Sequence, residues 1–165
     1  MKDEGWEIEN GGWGMRSGKA RAESNPTTQP PNPLTIVFTP IGYVENDFDA
    51  PATPETIAAT ESRIVVAPEF VAGLTGLEAG QRVMVVFHFH LVQSYSLLQH
   101  PRGDRSRPRQ GVFALHTPYR PNPIGVTVVD LLSVEGNVLR VRGLDALNGT
   151  PVLDIKLESA NLLGK

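Results

Sequence analysis

At 165 residues, with 40% apolar and 20% charged content and a formal net charge of −3, the chain has the size and balance of a single globular domain able to bury a core. No apolar run approaches the roughly 18 residues that a membrane-spanning helix needs, the first residues lack the basic-then-apolar order of a signal peptide, and a cytoplasmic location is expected. Cysteine is absent, which excludes disulfides, thiolate metal ligands and cysteine nucleophiles.

Residues 1–33 are rich in Gly, Ser, Asn, Gln and Pro, show no apolar periodicity, and end in Thr27-Thr28-Gln29-Pro30-Pro31-Asn32-Pro33. Such a segment continues neither a helix nor a central strand, so a mobile extension is expected there, with Trp6 and Trp13 as auxiliary docking groups. Residues 34–165 are expected to form the folded domain. Leu34 to Val44 is rich in β-branched and aromatic residues and reads as the first strand, with Pro40 marking an edge or a bulge. Pro51 to Thr60 reads as a polar loop and Ser62 to Ala67 as the second strand. Pro68 to Leu77 predicts a short helix, with Pro68 in its first turn, Glu69 at its positive end, and Phe70, Val71 and Leu74 on one stripe.

Arg82 to Leu91 is the clearest strand. Alternation puts Val83, Val85, Phe87, Phe89 and Leu91 on one face and Met84, Val86, His88 and His90 on the other. Further strands are predicted at Gly111 to Leu115, Ile124 to Val134, Val138 to Val141 and Val152 to Leu157, with Glu135-Gly136-Asn137 as a hairpin turn. Many short strands and almost no helix predict an all-β, mainly antiparallel fold: a single-sheeted barrel with one or two short helices.

The segment Gly111 to Gly125 carries the strongest functional signal. Thr117-Pro118, Arg120-Pro121 and Asn122-Pro123 each restrict the backbone, so the loop aims His116, Tyr119, Arg120 and Asn122 rigidly: an imidazole, a ring, a cation and an amide that suit a ligand with rings and polar edges. Charge is concentrated in the same region. Arg102, Arg105, Arg107, Arg109 and Arg120 face Asp104 alone between His100 and Gly125, a local basic surface able to grip phosphates. His88 and His90, with His100 or His116, also offer imidazoles to a metal enzyme, although no carboxylate lies near them in sequence. The dense glycines Gly11, Gly12 and Gly14 lie in the polar tail, and no Gly-x-Ser-x-Gly elbow exists, so Rossmann, P-loop and serine hydrolase readings have no support. Near the C-terminus, Leu144 to Lys156 reads LDALNGTPVLDIK, in which Asn148-Gly149 makes a turn and Asp154 is expected to pair with Lys156 or an arginine.

Taken in order, Pro40-Ile41-Gly42, a strand ending in Phe-His, Gly111-Val112-Phe113-Ala114, the run RPNPIG at Arg120 to Gly125, and LDxLxGTPVLDIK resemble the TrmO family, also called TsaA or YaeB-like, from about Pro40 to Lys156. The resemblance implies a β-barrel distinct from Rossmann methyltransferases, homodimers, S-adenosylmethionine as cofactor, and tRNA as substrate. The methyl group would go to N6 of a modified adenosine beside the anticodon. Carried over by position, the cofactor residues would be His90 with Leu91, His116, Asn122, Gly125, Val126, Leu144, Asp145, Ala146 and Leu147. Arg105, Arg107, Arg109, Tyr119 and Arg120 would hold RNA, and no metal is implied. The chain differs from the family pattern at His116, where the family carries arginine in ATRSP, and at Pro54-Glu55-Thr56, where it carries Pro-Arg-Gln. A non-catalytic RNA- or nucleotide-binding module on the same barrel is the alternative.

Overall fold

In the computed structural model the described residues are 7–9, 12–14, 36–50 and 52–158. Strands β1 (Glu7–Glu9) and β2 (Gly12–Gly14) pair antiparallel, with Ile8 opposite Trp13, as a unit of their own. The rest of the extension expected to be mobile, residues 1–33, lies outside the described residues.

In the second unit, strands β3 (Gly42–Glu45), β4 (Glu61–Val66), β5 (Arg82–His88), β8 (Ile124–Glu135), β9 (Val138–Arg142) and β10 (Pro151–Leu157) close a barrel in the order β10-β3-β4-β9-β8-β5. Every pairing in it is antiparallel. A small separate ribbon joins β6 (Leu98–Gln99) to β7 (Gln110–Gly111). Closure leaves the barrel no open edge, which a lone sheet of this size would have to protect.

Alternation along β5 decides which side chains fill the interior. Val83, Val85 and Phe87 are buried, and they meet Val44, Ile64, Val66, Val129, Leu131, Leu139, Val141 and Val152 from the other strands. Each such side chain removed from water contributes about 1.5–3 kcal/mol. The long strand β8 serves two neighbours, pairing with β5 through Ile124 to Asp130 and with β9 through Asp130 to Glu135, and it bends at a register shift between Leu131 and Ser133.

Several boundaries depart from the sequence reading. The first strand of the barrel, β3, begins at Gly42 rather than near Leu34; residues 36–41 lie outside any strand, and 34–35 lie outside the described residues. The segment expected as a polar loop contains helix α1 (Pro54–Ala59). Its start follows helix-capping chemistry: Thr53 Oγ1 accepts from Thr56 N, Pro54 occupies the first turn, and Glu55 sits at the positive end. The expected helix at Pro68 is a 3₁₀ segment, Pro68–Leu74. Strand β5 stops at His88, so the alternation expected to carry Phe89 and Leu91 on one face and His90 on the other does not continue to Leu91: Phe89 N still donates to the Pro123 carbonyl, but Pro123 has no N–H to return, and Leu91 is exposed. The strand expected at Gly111 to Leu115 is two residues of β7 followed by a 3₁₀ turn, Val112–Ala114.

Two glycines make the closure possible. Gly42, Val152, Phe87 and Gly125 lie in one row across β3, β10, β5 and β8. A Cβ on Gly125 would lie 2.4 Å from Cε2 of the buried Phe87 ring and 2.9 Å from Cζ of Phe89, and one on Gly42 would lie 2.2 Å from the Val65 carbonyl oxygen. Phe87 and Phe89 themselves meet edge to face at 5.3 Å.

One end of the barrel is plugged by the segment after β9. Leu144 and Ala146 are 1% and 7% exposed and belong to the core. Asn46 holds the segment in place, donating from Nδ2 to the Ala146 carbonyl at 2.9 Å and to Ser62 Oγ at 3.0 Å, while its Oδ1 accepts from Phe48 N at 3.0 Å. The backbone adds Asn148 N to the Phe48 carbonyl and Gly149 N to the Val44 carbonyl, both 2.8 Å. Gly149 turns the chain with φ +74° into β10, as Asn148-Gly149 predicts.

Gly125→Ala will destabilise the fold by about 1–3 kcal/mol, because the new methyl must displace a buried ring; a lowered urea midpoint at unchanged slope checks it. Asn46→Ala will lower stability by a similar amount, about 1–3 kcal/mol, by stranding the Ala146 carbonyl; faster amide exchange confined to residues 144–150 is the expected signature.

Candidate functional site

Between β5 and β8 the chain leaves the barrel for residues 89–123 and returns beside its point of departure, where Phe89 N meets the Pro123 carbonyl. The excursion is tied together by its own side chains. Gln99 Nε2 donates to the carbonyls of Tyr119 and Ser96, both 2.7 Å, and its Oε1 accepts from Thr117 Oγ1 at 2.9 Å. The proline-bearing segment is further tightened by Arg120 N on the Pro118 carbonyl and Ile124 N on that of Asn122. Rigidity there thus comes from a glutamine clamp as well as from the prolines.

Arg120 faces inward rather than out. Its Nη1 donates to the carbonyls of Leu115 at 2.9 Å and Val112 at 3.3 Å, and its guanidinium lies 6.0 Å from the centre of the Phe113 ring. The group expected to hold a phosphate therefore fastens the 3₁₀ turn with one of its nitrogens. Arg102, Arg105, Arg107 and Arg109 are all exposed, and none of them forms an ion pair among the described residues. Arg109 Nη2 donates to the Leu98 carbonyl, and His100 Nδ1 meets the Arg107 carbonyl, so the basic loop has a fixed base. Asp104 Oδ1 accepts from Ser106 N and Oγ; those bonds hold its carboxyl below the usual range and keep it occupied.

The LDxL segment carries the next group of candidates, and the cleft it lines contains no residue of the 89–123 excursion. With Leu144 and Ala146 turned into the core, their side chains cannot reach a ligand, and the Ala146 carbonyl is taken by Asn46. The Leu147 carbonyl accepts from Thr150 N at 3.1 Å. Thr150, buried, brings its Oγ1 to 3.4 Å from Nδ1 of His90, the contact that joins the strand-end histidine to the NGTP turn. Asp145 points outward into a cleft of ≈ 370 Å³ lined by Ile57 and Ala58 of α1, Val128, Arg82, Asp130, Arg142 and Gly143. Arg82 is paired with Asp130 and Glu158, and Arg142 with Glu61, whereas Asp145 has no hydrogen bond or ion pair among the described residues. Its surface is partly open, yet the surrounding bulk desolvates the carboxyl and pushes its pKa up.

The remaining candidates are placed as follows. His116 and Asn122 are exposed on the excursion, as are Leu91 and Tyr119. Gly125 is buried against Phe87, and Val126, its neighbour, faces out from the barrel. Residues that the sequence reading did not single out are Asn46, Gln99 and Thr150; the helix signal Thr53-Pro54-Glu55-Thr56 was the one cue to the cleft's far wall. Asp154 pairs with Lys156 as expected. Among the described residues no three of His, Asp and Glu gather closely enough to hold a metal ion.

Over 127 residues the chain is 42% identical to a probable S-adenosyl-L-methionine-binding protein of Methanothermobacter thermautotrophicus, covering 74% of this chain and 90% of that one. It is 35% identical to human tRNA (adenine(37)-N6)-methyltransferase over 134 residues, 73% of this chain and 30% of the relative. The crystal structure of TrmO from Pseudomonas aeruginosa superimposes with a TM-score of 0.60 at 34% identity, over 79% of this chain and 60% of that one. The present chain thus spans less than two thirds of these last two proteins. Residues 42–159, which include the whole barrel, the 89–123 excursion and the LDxL segment, match the model of the tRNA-methyltransferase O N-terminal domain, and the chain belongs to that family.

Proposed function

We propose that the protein is an S-adenosylmethionine-dependent methyltransferase acting on tRNA, at N6 of a modified adenosine next to the anticodon. The observation that carries this reading is Asp145: a desolvated carboxylate without a partner among the described residues, presented into a cleft between α1 and the LDxL segment. Such a group suits the hydroxyl and ammonium donors of the cofactor, and the apolar walls Ile57, Ala58 and Val128 suit an adenine or a thioether chain. When bound, S-adenosylmethionine supplies a methyl group on a sulfonium, a displacement that asks for alignment more than for a strong acid or base. The residues here meet that demand. His90 is fixed by Thr150, the LDxL segment is fixed by Asn46, and the proline loop by Gln99. The exposed arginines 105, 107 and 109 would take RNA phosphates, with Tyr119 against a base.

The reading places the protein in the cytoplasm, with its tRNA substrate. Among the described residues no helix is long and apolar enough to cross a membrane. It also pairs two copies, for which the outer face of β5 and β8 is suited: Val86 lies opposite Val126 and Met84 opposite Val128, with Val126 56% exposed.

Folding raises the pKa of Asp145, so its contribution to stability is present below the unfolded value and lost as pH rises through the folded one; the ionised carboxylate weighs against the fold at neutral pH. Asp145→Asn will therefore raise the melting temperature at pH 7 while weakening S-adenosylmethionine about tenfold or more by calorimetry, the loss of one charge-assisted bond. Wild-type protein that binds no cofactor at millimolar concentration would sink the reading.

A further inference from the structure

Phe113 is 78% exposed on a turn whose preceding residue, Val112, is 1% exposed. An apolar ring so far out of the core contributes little to folding, yet its setting is rigid. Val112 N donates to the Leu97 carbonyl at 2.9 Å, Leu115 N closes the turn on the Val112 carbonyl, and Arg120 Nη1 donates to the carbonyls of Val112 and Leu115. The Arg120 guanidinium lies 6.0 Å from the ring centre, and most of the ring is left exposed. Leu98, 52% exposed, opens the strand that pairs with the residues just before this turn, Leu97 before it is 56% exposed, and Arg109 bonds to the Leu98 carbonyl. Arg109 is four residues from Phe113, at most about 14 Å along an extended chain, a distance comparable with a nucleotide or two of RNA backbone.

We propose that Phe113 is a stacking platform for an unpaired RNA base, with Arg109 and its neighbours holding the flanking phosphates. This rests on the reading of RNA as the substrate, and it names the state of that RNA. A ring fixed before binding loses little entropy when a base stacks on it, and every base offers a π face. A base inside a duplex offers none, so the platform selects a loop or a single strand. A second copy of the chain is the poorer occupant. A two-fold interface sets the same patch against itself, and here that would bring four exposed arginines against four, with the carboxylate of Asp104 already engaged by Ser106.

The test is titration of a fluorescent single-stranded oligoribonucleotide, and of a duplex of equal length, with the full chain at several salt concentrations. Phe113→Ala will weaken the single strand about fivefold or more with an unchanged salt slope, leave the duplex unaffected, and leave S-adenosylmethionine binding by calorimetry intact; Phe113→Tyr will restore it. Arg107→Glu with Arg109→Glu will instead flatten the salt slope for both RNAs. If wild type binds the single strand and Phe113→Ala binds it equally well, the platform is wrong while the functional reading stands. If light scattering shows Phe113→Ala turning a dimer into a monomer, the ring belongs to an interface between copies and the proposal falls. If wild type binds cofactor but neither RNA, the RNA reading itself fails and the platform with it.

Discussion

The barrel depends on one close approach. Across the row Gly42, Val152, Phe87 and Gly125, the ring of Phe87 lies directly over a position where even a methyl group would collide with it, and β3 approaches β4 so nearly that Gly42 has the Val65 carbonyl where its Cβ would be. Neither glycine is there for a positive φ; both are there for space. Because this row includes the β10–β5 pairing that closes the sheet, the hydrogen-bonded ladder and the packing of the core are specified together. The same row fixes where the functional loops leave the barrel. The excursion 89–123 departs just after Phe87 and returns just before Gly125, and the LDALNGT segment returns at Pro151, next to Val152.

The polar residues of the loops divide into those that hold the backbone and those that remain available. Asn46, Gln99 and Arg120 each donate to two carbonyl or hydroxyl oxygens and so convert loops, which usually carry mobility, into fixed supports. Asp145, the exposed arginines and Phe113 have no such duty, or only part of it. They sit at the ends of these supports, facing the cleft or solvent. A transfer reaction that relies on alignment would be well served by that arrangement, since the supports fix the loops and leave the other groups free to contact a ligand.

Much of this was legible in the chain itself. The inside and outside of β5 followed from Val83, Val85 and Phe87 alternating with Met84, Val86 and His88, and the turn at Gly136 from Glu135-Gly136-Asn137. Alternation could not say where β5 stops, because Phe89 and Leu91 continue the pattern; Phe89 N still donates in register to the Pro123 carbonyl, but Pro123 has no N–H to return and the ladder ends there. Gly111 to Leu115 has strand-forming residues, but Val112 turns into the core and the next residues curl around Arg120, a tertiary bond that overrides propensity. Within the site, Asp145 could be marked by its motif, whereas the burial of Leu144 and Ala146 on either side of it needed the plugged barrel end. Arg120 reads as a phosphate ligand from its neighbours in sequence, and only the carbonyls of Val112 and Leu115 show that its first duty is structural.

The central claim is that this barrel transfers a methyl group to tRNA, and the direct measurement is incorporation of labelled methyl from S-adenosylmethionine into unfractionated tRNA. The account predicts cofactor-dependent label in adenosine, carried on N6, and its loss with Asp145→Asn at limiting cofactor. Protein that binds both S-adenosylmethionine and tRNA yet transfers no label would contradict it, and would leave a binding module on the same fold.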